Sequence, residues 1–318
     1  MNDSFAARLY YERYLHVPKS RRQRLLRPLR MLATPFVPRT VPDDALARLL
    51  WEGAPPAHSS VVLDDTDQDG RRRLLAFLFA QGARRPFAIA KAQSDLSNGS
   101  LRSEADGLRR VRGGLPPDLQ STIPEVLQFQ ANDRGEVLVI SALPGRSAYL
   151  DMRASLRPSR FLEAHFSAAA RWLAAFHDAT GATHGDFWPH NLLLDGDRVS
   201  VVDWENFTPS SSPFVDLFHF PLTYGQSYRY ADPETSFART FLEPNRLSRA
   251  VAAYLHGYAS RRGLNERDLA PAFAEFLATR GTMGSGEPHP GTRGLPWERL
   301  AKRTLHGPAF ALPPLPER

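Results

Sequence analysis

The chain has 318 residues, 42% hydrophobic and 23% charged, enough to bury a sizeable core or to divide into two lobes. It contains no cysteine, which excludes disulfides, thiolate metal centres and thiol nucleophiles, and no apolar run approaches the ~18 residues of a membrane span. A formal net charge of +6 disfavours a polycationic ligand unless a local acidic cleft overrides the global field. The start, Met1-Asn-Asp-Ser-Phe5, lacks the basic-then-apolar pattern of a secretory signal. Residues 1–58 read as a basic helical extension. Within it, the stretch Ser20 to Leu32 carries Leu25, Leu26, Leu29 and Leu32 among arginines and is interrupted by Pro28. The favoured reading is a helical extension with a solvated basic face; the alternative is weak peripheral contact of 20–32 with an anionic membrane surface. Asp43 to Trp51 predicts a short amphipathic helix.

Residues 59–145 read as a small β-rich lobe. Val61 to Leu63 leads into an acidic turn with four aspartates and one glycine, Asp64 to Gly70, then Arg71 to Arg73 and the apolar run Leu74 to Ala80, a buried strand. Asp65, Asp67, Asp69 and Gly70 match the first half of a calcium loop, but the twelfth position is Ala76 where a bidentate Glu is required, so an acidic turn is the simpler account. Phe87 to Lys91 is a strand ending in one of only three lysines in the chain. Leu101, Leu108 and Val111 share one face of a helix that Gly113-Gly114 can end, and Glu104 on that helix can face back toward Lys91. Ile123 to Phe129 and Glu136 to Ala142 read as strands, the second broken by Leu143-Pro144-Gly145.

Residues 146–318 read as a mainly helical lobe with a Pro-rich tail. Pro158 to His177 is a helix striped by Leu162, Phe166, Ala169, Leu173 and Phe176, with His177 as a structural residue complementing the C-terminal dipole. Then follows His184-Gly-Asp186-Phe-Trp188-Pro-His190-Asn191. Leu192 to Leu194 and Val199 to Val202 read as a β-hairpin about an Asp195-Gly196 turn, leading to Asp203-Trp-Glu205. A tight hairpin is expected to return Asp203 close to Asn191, where both can grip one metal ion. Asn245 to Arg262 and Glu266 to Arg280 read as helices stopped by Gly263 and Gly281.

The spacing His-Gly-Asp-x-x-x-x-Asn followed by Asp-Trp-Glu resembles the aminoglycoside phosphotransferase and choline kinase-like family, small-molecule kinases with a protein-kinase-like fold. The resemblance implies an α+β architecture of two lobes: a small antiparallel sheet holding ATP and a mainly helical lobe holding the acceptor. It implies that Asp186 is the catalytic base and that Asn191 and Asp203 bind magnesium. It places Lys91 on the nucleotide phosphates with Glu104 as its ion-pair partner. Ser141, Ala142 and Leu143 fall at the hinge where backbone groups meet adenine. His184 and Asp216, the latter in Pro213-Phe-Val-Asp216-Leu, are expected to support the loop, and Trp188, His190 and Glu205 are candidates for the acceptor site. The pattern departs from protein kinases at the acidic 64–69 turn, where a glycine-rich loop belongs, and at Asp203-Trp-Glu, where D-F-G belongs.

The expected function is therefore ATP- and magnesium-dependent transfer of a phosphoryl group to a small-molecule hydroxyl, in the cytoplasm. The net charge favours a neutral or anionic acceptor, such as a sugar, glycoconjugate precursor or nucleoside, over an aminoglycoside. No aromatic-interleaved basic groove points to nucleic acid. The alternative is a nucleotide-binding scaffold or regulator of the same fold, motivated by the acidic turn.

Overall fold

The structure is a computed structural model that describes residues 7, 9–18, 23, 24, 26, 45–66, 72–94, 100–228 and 233–282. Most of the basic 20–32 stretch, the tip of the acidic turn and the C-terminal tail lie outside the described residues. The chain divides into two compact units: Met1–Arg146 with Ser200–Phe207, and Ser147–Val199 with Thr208–Arg318. No helix among the described residues is long and apolar enough to cross a membrane.

The first unit is built on a five-stranded antiparallel sheet in the order β1-β2-β3-β5-β4. Its strands are β1 (Ser59–Thr66), β2 (Arg72–Phe79), β3 (Ala88–Gln93), β4 (Val126–Asn132) and β5 (Gly135–Ser141). Side chains alternate across the sheet, so register decides what each face carries. Ala88, Ala90 and Ala92 of β3 lie on one face with Leu74, Ala76 and Leu78, and helix α1 (Ala45–Gly53) packs its Leu46, Leu49 and Leu50 there. The alanines leave room for the helix to approach. The opposite face carries Lys91, which pairs across to Leu75, and Ile89, which pairs across to Phe77. Helix α2 (Ser100–Gly114) ends on the two glycines expected to stop it.

The stretch Ser200–Phe207 docks on α2. Gly107 makes this possible: a Cβ there would lie 3.0 Å from the Trp204 carbonyl oxygen and 3.2 Å from the Phe207 Cβ. Trp204 is fully buried and donates its indole N–H to the Val201 carbonyl at 3.0 Å.

The second unit is helical. Its core helices are α3 (Leu162–Thr180), α4 (Phe214–Ser227), α5 (Arg246–Arg262) and α6 (Leu269–Thr282). The run expected as one helix from Pro158 begins as a 3-10 turn, Pro158–Phe161, and becomes α-helical at Leu162. α3 ends on Gly181 at φ 63°, and α5 starts on an Asn245–Ser248 capping box and ends on Gly263 at φ 63°. Gly281, expected as a stop, lies inside α6. Phe166, Phe187, Phe220, Tyr224 and Tyr254 pack edge-on and tilted at 4.6–5.7 Å between α3, α4 and α5.

α4 holds Pro221 in its interior. Proline has no N–H, so the carbonyl of Leu217, four residues back, loses its helical partner. The buried Tyr254 hydroxyl of α5 donates to that carbonyl at 3.0 Å. The polar debt left by the proline is thus met by the neighbouring helix.

Candidate active site

In the second unit, the loop after α3 is suspended from α4. The Asp216 carboxylate is fully buried and accepts backbone N–H groups from His184 at 2.6 Å and Gly185 at 2.9 Å. His177 Nε2 lies 3.5 Å from the same carboxylate, and His177 Nδ1 is 2.8 Å from the Tyr258 hydroxyl. Burial alone would push the Asp216 carboxyl up. The His177 hydrogen bond and charge, followed by the His184 ring and backbone N–H, outweigh it and hold the group below the usual carboxylate value. His177 lies in the last turn of α3, as expected, and there it also faces a carboxylate. Asp216 takes the loop-supporting position that the resemblance gives it.

The loop then locks itself. Gly185 adopts φ 82°, open to glycine without strain. The Asp186 N–H donates to His184 Nδ1 at 3.2 Å, which makes that nitrogen the acceptor of the ring. Asn191 donates its Nδ2 protons to the Asp186 carbonyl at 3.0 Å and to Asp186 Oδ2 at 3.1 Å. Because the amide nitrogen is committed to Asp186, the Asn191 Oδ1 is left as the atom able to bind a cation. Phe187 anchors the loop in the core against Trp172 and Phe220, at 5.6 and 5.3 Å.

Trp188 and His190, both half-buried, stack at 4.3 Å, and His190 stacks on Tyr149 at 3.6 Å. The two candidate acceptor residues therefore form a three-ring platform with Tyr149, which the sequence reading did not single out. His219 was also missed. It is fully buried one helical turn beyond Asp216, and its Nε2 lies 3.4 Å from Asp186 Oδ1. The available signal was its spacing of three residues from Asp216 on a helix.

In the first unit, Lys91 Nζ donates to both Glu104 oxygens at 2.8 and 2.7 Å and to Asp203 Oδ1 at 3.0 Å. The expected pair between strand and helix is formed. Burial opposes the Lys91 charge, but Asp203 and then Glu104 raise it well above the ordinary lysine value. Burial pushes the Glu104 carboxyl up, with Lys91 opposing. Glu205 is also raised, by burial and by Asp203, against Arg73. Arg73 Nη2 reaches Glu205 at 3.2 Å. Glu205, a candidate acceptor residue, thus sits in this ionic group. Three carboxylates (Glu104, Asp203, Glu205) face two cations (Lys91, Arg73), an excess of one negative charge.

Asp203 is the sole non-glycine residue at positive φ among those described, at 69°. Such a conformation is uncommon and clusters at functional sites. The hairpin before it has strands Leu192–Asp195 and Arg198–Val201. Its turn is Gly196-Asp197 rather than Asp195-Gly196. Gly196 has φ 64° and Asp197 does not share the positive φ, the pattern of a two-residue turn with glycine at its first central position. At the end of β5, the Ala142 N–H donates to the Phe87 carbonyl at 3.1 Å, and the Ser141 N–H to Glu125 at 2.8 Å.

In the first unit Asp203 offers a hard carboxylate, and in the second Asn191 offers a hard amide oxygen fixed by its own nitrogen. Each is a donor type that suits magnesium, which is commonly held by one or two such groups together with substrate phosphates.

The model of the Phosphotransferase enzyme family, APH, matches residues 150–264. That stretch contains His184, Asp186, Asn191, Asp203 and Asp216, so the resemblance carried by the motif is borne out over this region. The match covers 150–264 alone, so this part of the chain is similar to phosphotransferase enzymes. No curated protein matches the chain.

Proposed function

We propose that the chain is an ATP- and magnesium-dependent small-molecule kinase with a protein-kinase-like arrangement of two lobes. The observation that carries this is Lys91, buried, charged and held by both Glu104 and Asp203. A lysine kept cationic beside a metal-type aspartate suits the binding of nucleotide phosphates. In this reading Asp186 orients the acceptor hydroxyl and takes its proton, with Oδ2 steadied by Asn191 and Oδ1 facing His219. Magnesium, when bound by Asn191 Oδ1 and Asp203, would neutralise charge developing on the transferred phosphoryl group. His184 and Asp216 fix the loop backbone, and positioning supplies most of the rate.

The favoured acceptor is a neutral or anionic sugar, glycoconjugate precursor or nucleoside, because the chain carries net charge +6. The ring platform of Trp188, His190 and Tyr149 suits the apolar face of a sugar or a base. The proposed compartment is the cytoplasm.

Phosphorus NMR of the protein with magnesium-ATP and a cell metabolite extract, beside Asp203→Ala, tests this reading. A new phosphoester that needs the intact Asp203 is expected. Unchanged ATP across extracts from varied sources would turn the reading toward a nucleotide-binding scaffold.

A further inference from the structure

The sheet face that carries Lys91 is not open along its length. Ile89 lies two residues before Lys91 on β3, about 7 Å along the strand. It pairs across to Phe77, and Phe77 to Val61. These side chains share the face of Lys91 and form one apolar cluster with Leu63, Leu75 and Phe79. What covers the cluster is the chain's own beginning. Ala7 and Tyr10 are buried in it, with Tyr11, Tyr14 and Leu15 packed around them. The Tyr10 ring lies 5.9 Å from Phe77, 5.4 Å from Phe79 and 4.8 Å from Tyr14. Residues Tyr11–Leu15 form a π-helical turn, a rare geometry. Burial, with Tyr14 alongside and Arg85 opposing, pushes the Tyr10 phenol up to about 12, as befits a ring taken out of water.

The direction along the sheet matters. Ala88 of β3 pairs with Ser141 of β5, so the path from Lys91 through Ile89 leads to the Ser141–Leu143 segment. A nucleotide with its phosphates on Lys91 and its base at that segment must lay the base over Ile89 and Phe77. Tyr10 and Tyr14 already occupy that ground. The space left between these two tyrosines and the 142–145 turn, lined also by Arg85 and Pro86, is a cavity of about 130 Å³. Small-molecule sites usually measure roughly 300–1,000 Å³, so the remaining cavity is too small for a nucleoside.

We infer that the segment Tyr10–Leu15 is an internal occupant of the base-binding face, and that a purine nucleotide binds by displacing Tyr10 and Tyr14 from the sheet. The inference rests on the reading of Lys91 as a ligand of nucleotide phosphates. Apparent affinity is the intrinsic affinity reduced by the fraction of molecules whose segment has lifted. The segment therefore sets how much nucleotide the chain holds without touching the groups that carry out transfer.

Two measurements on the full chain test it. In the unaltered protein, hydrogen exchange at residues 10–15 is expected to accelerate when magnesium-ATP is added; unchanged or slower exchange with nucleotide bound would overturn the inference and leave the kinase reading standing. In Tyr10→Ser/Tyr14→Ser, calorimetric titration is expected to show magnesium-ATP binding at least about ten-fold tighter. Weaker binding by a folded variant would make the tyrosines a wall of the base site and overturn the inference. The exchange experiment decides the matter if that variant does not fold. Absence of nucleotide binding by both proteins would overturn the inference and the kinase reading together.

Discussion

The ionic group around Lys91 and the loop around Asp186 both hold carboxylates away from water, and they do so by opposite means. In the first, charge is met by charge: two cations face three acids, with Lys91 and Glu104 both buried. In the second, carboxylates are met mainly by hydrogen-bonding groups, namely two backbone N–H groups, an amide and imidazole rings. The difference sets how each region fails. Removing a partner from the first leaves an uncompensated buried charge. Removing a backbone or amide donor from the second releases a geometry rather than a charge.

The sharpest break of this contrast is Asp186→Asn. It keeps the loop's shape and removes the proposed proton acceptor, so kcat for the proposed phosphoryl transfer should fall by about 10²- to 10⁴-fold with the thermal midpoint nearly unchanged. Steady-state kinetics beside a melting curve checks this, and a matching loss of stability would deny that the loop is held by geometry alone. Lys91→Met should do the converse damage. It strands Glu104 and should cost about 3–5 kcal/mol in urea unfolding at neutral pH.

Asp216→Asn comes next in size. Its loss of charged acceptance should cost about 2 kcal/mol. The folded carboxyl is held below the unfolded value, so the stability it contributes is complete above the ordinary Asp range near ~4 and is lost as pH falls through the folded value. The gap between the unaltered protein and the variant, followed by urea unfolding from pH 7 to pH 3, should therefore narrow toward acid. A constant gap would locate the role of Asp216 in packing. The smallest effect of the four is expected at His219→Gln: kcat down by roughly ten-fold with KM held, and an altered pH profile. A parallel fall in stability with no change in profile would make His219 a packing residue.

The parts legible in sequence were those fixed by short-range spacing. Five residues from Asp186 to Asn191 close one loop, and an apolar strand followed by a helix brings Lys91 to Glu104. The hairpin was legible too, but its turn was displaced by one residue, because the glycine had to supply the positive φ at the first central position. Less legible were features decided by tertiary partners. Nothing in Tyr10-Tyr11 or Tyr14 says which sheet face they cover, since that follows from register between distant strands. His219 looks like any helical histidine until α4 is turned so that Asp216 meets the loop. Gly113-Gly114 carried the signal of a helix end and α2 ends on them, while α6 runs one residue beyond Gly281.

The proline in α4 binds the fates of two residues that lie far apart in the chain. Pro221 frees the Leu217 carbonyl beside Asp216, and Tyr254 on α5 claims it. Tyr254 is thus tied to the backbone next to the loop's anchor. A helix without the proline would supply its own N–H and make the phenol redundant. Tyr254→Phe, costly by about 1 kcal/mol in the present chain, should then become nearly neutral in a Pro221→Ala background. Substitutions at these two positions should be tolerated as a pair more readily than the phenol's loss alone, so drift at one would license drift at the other.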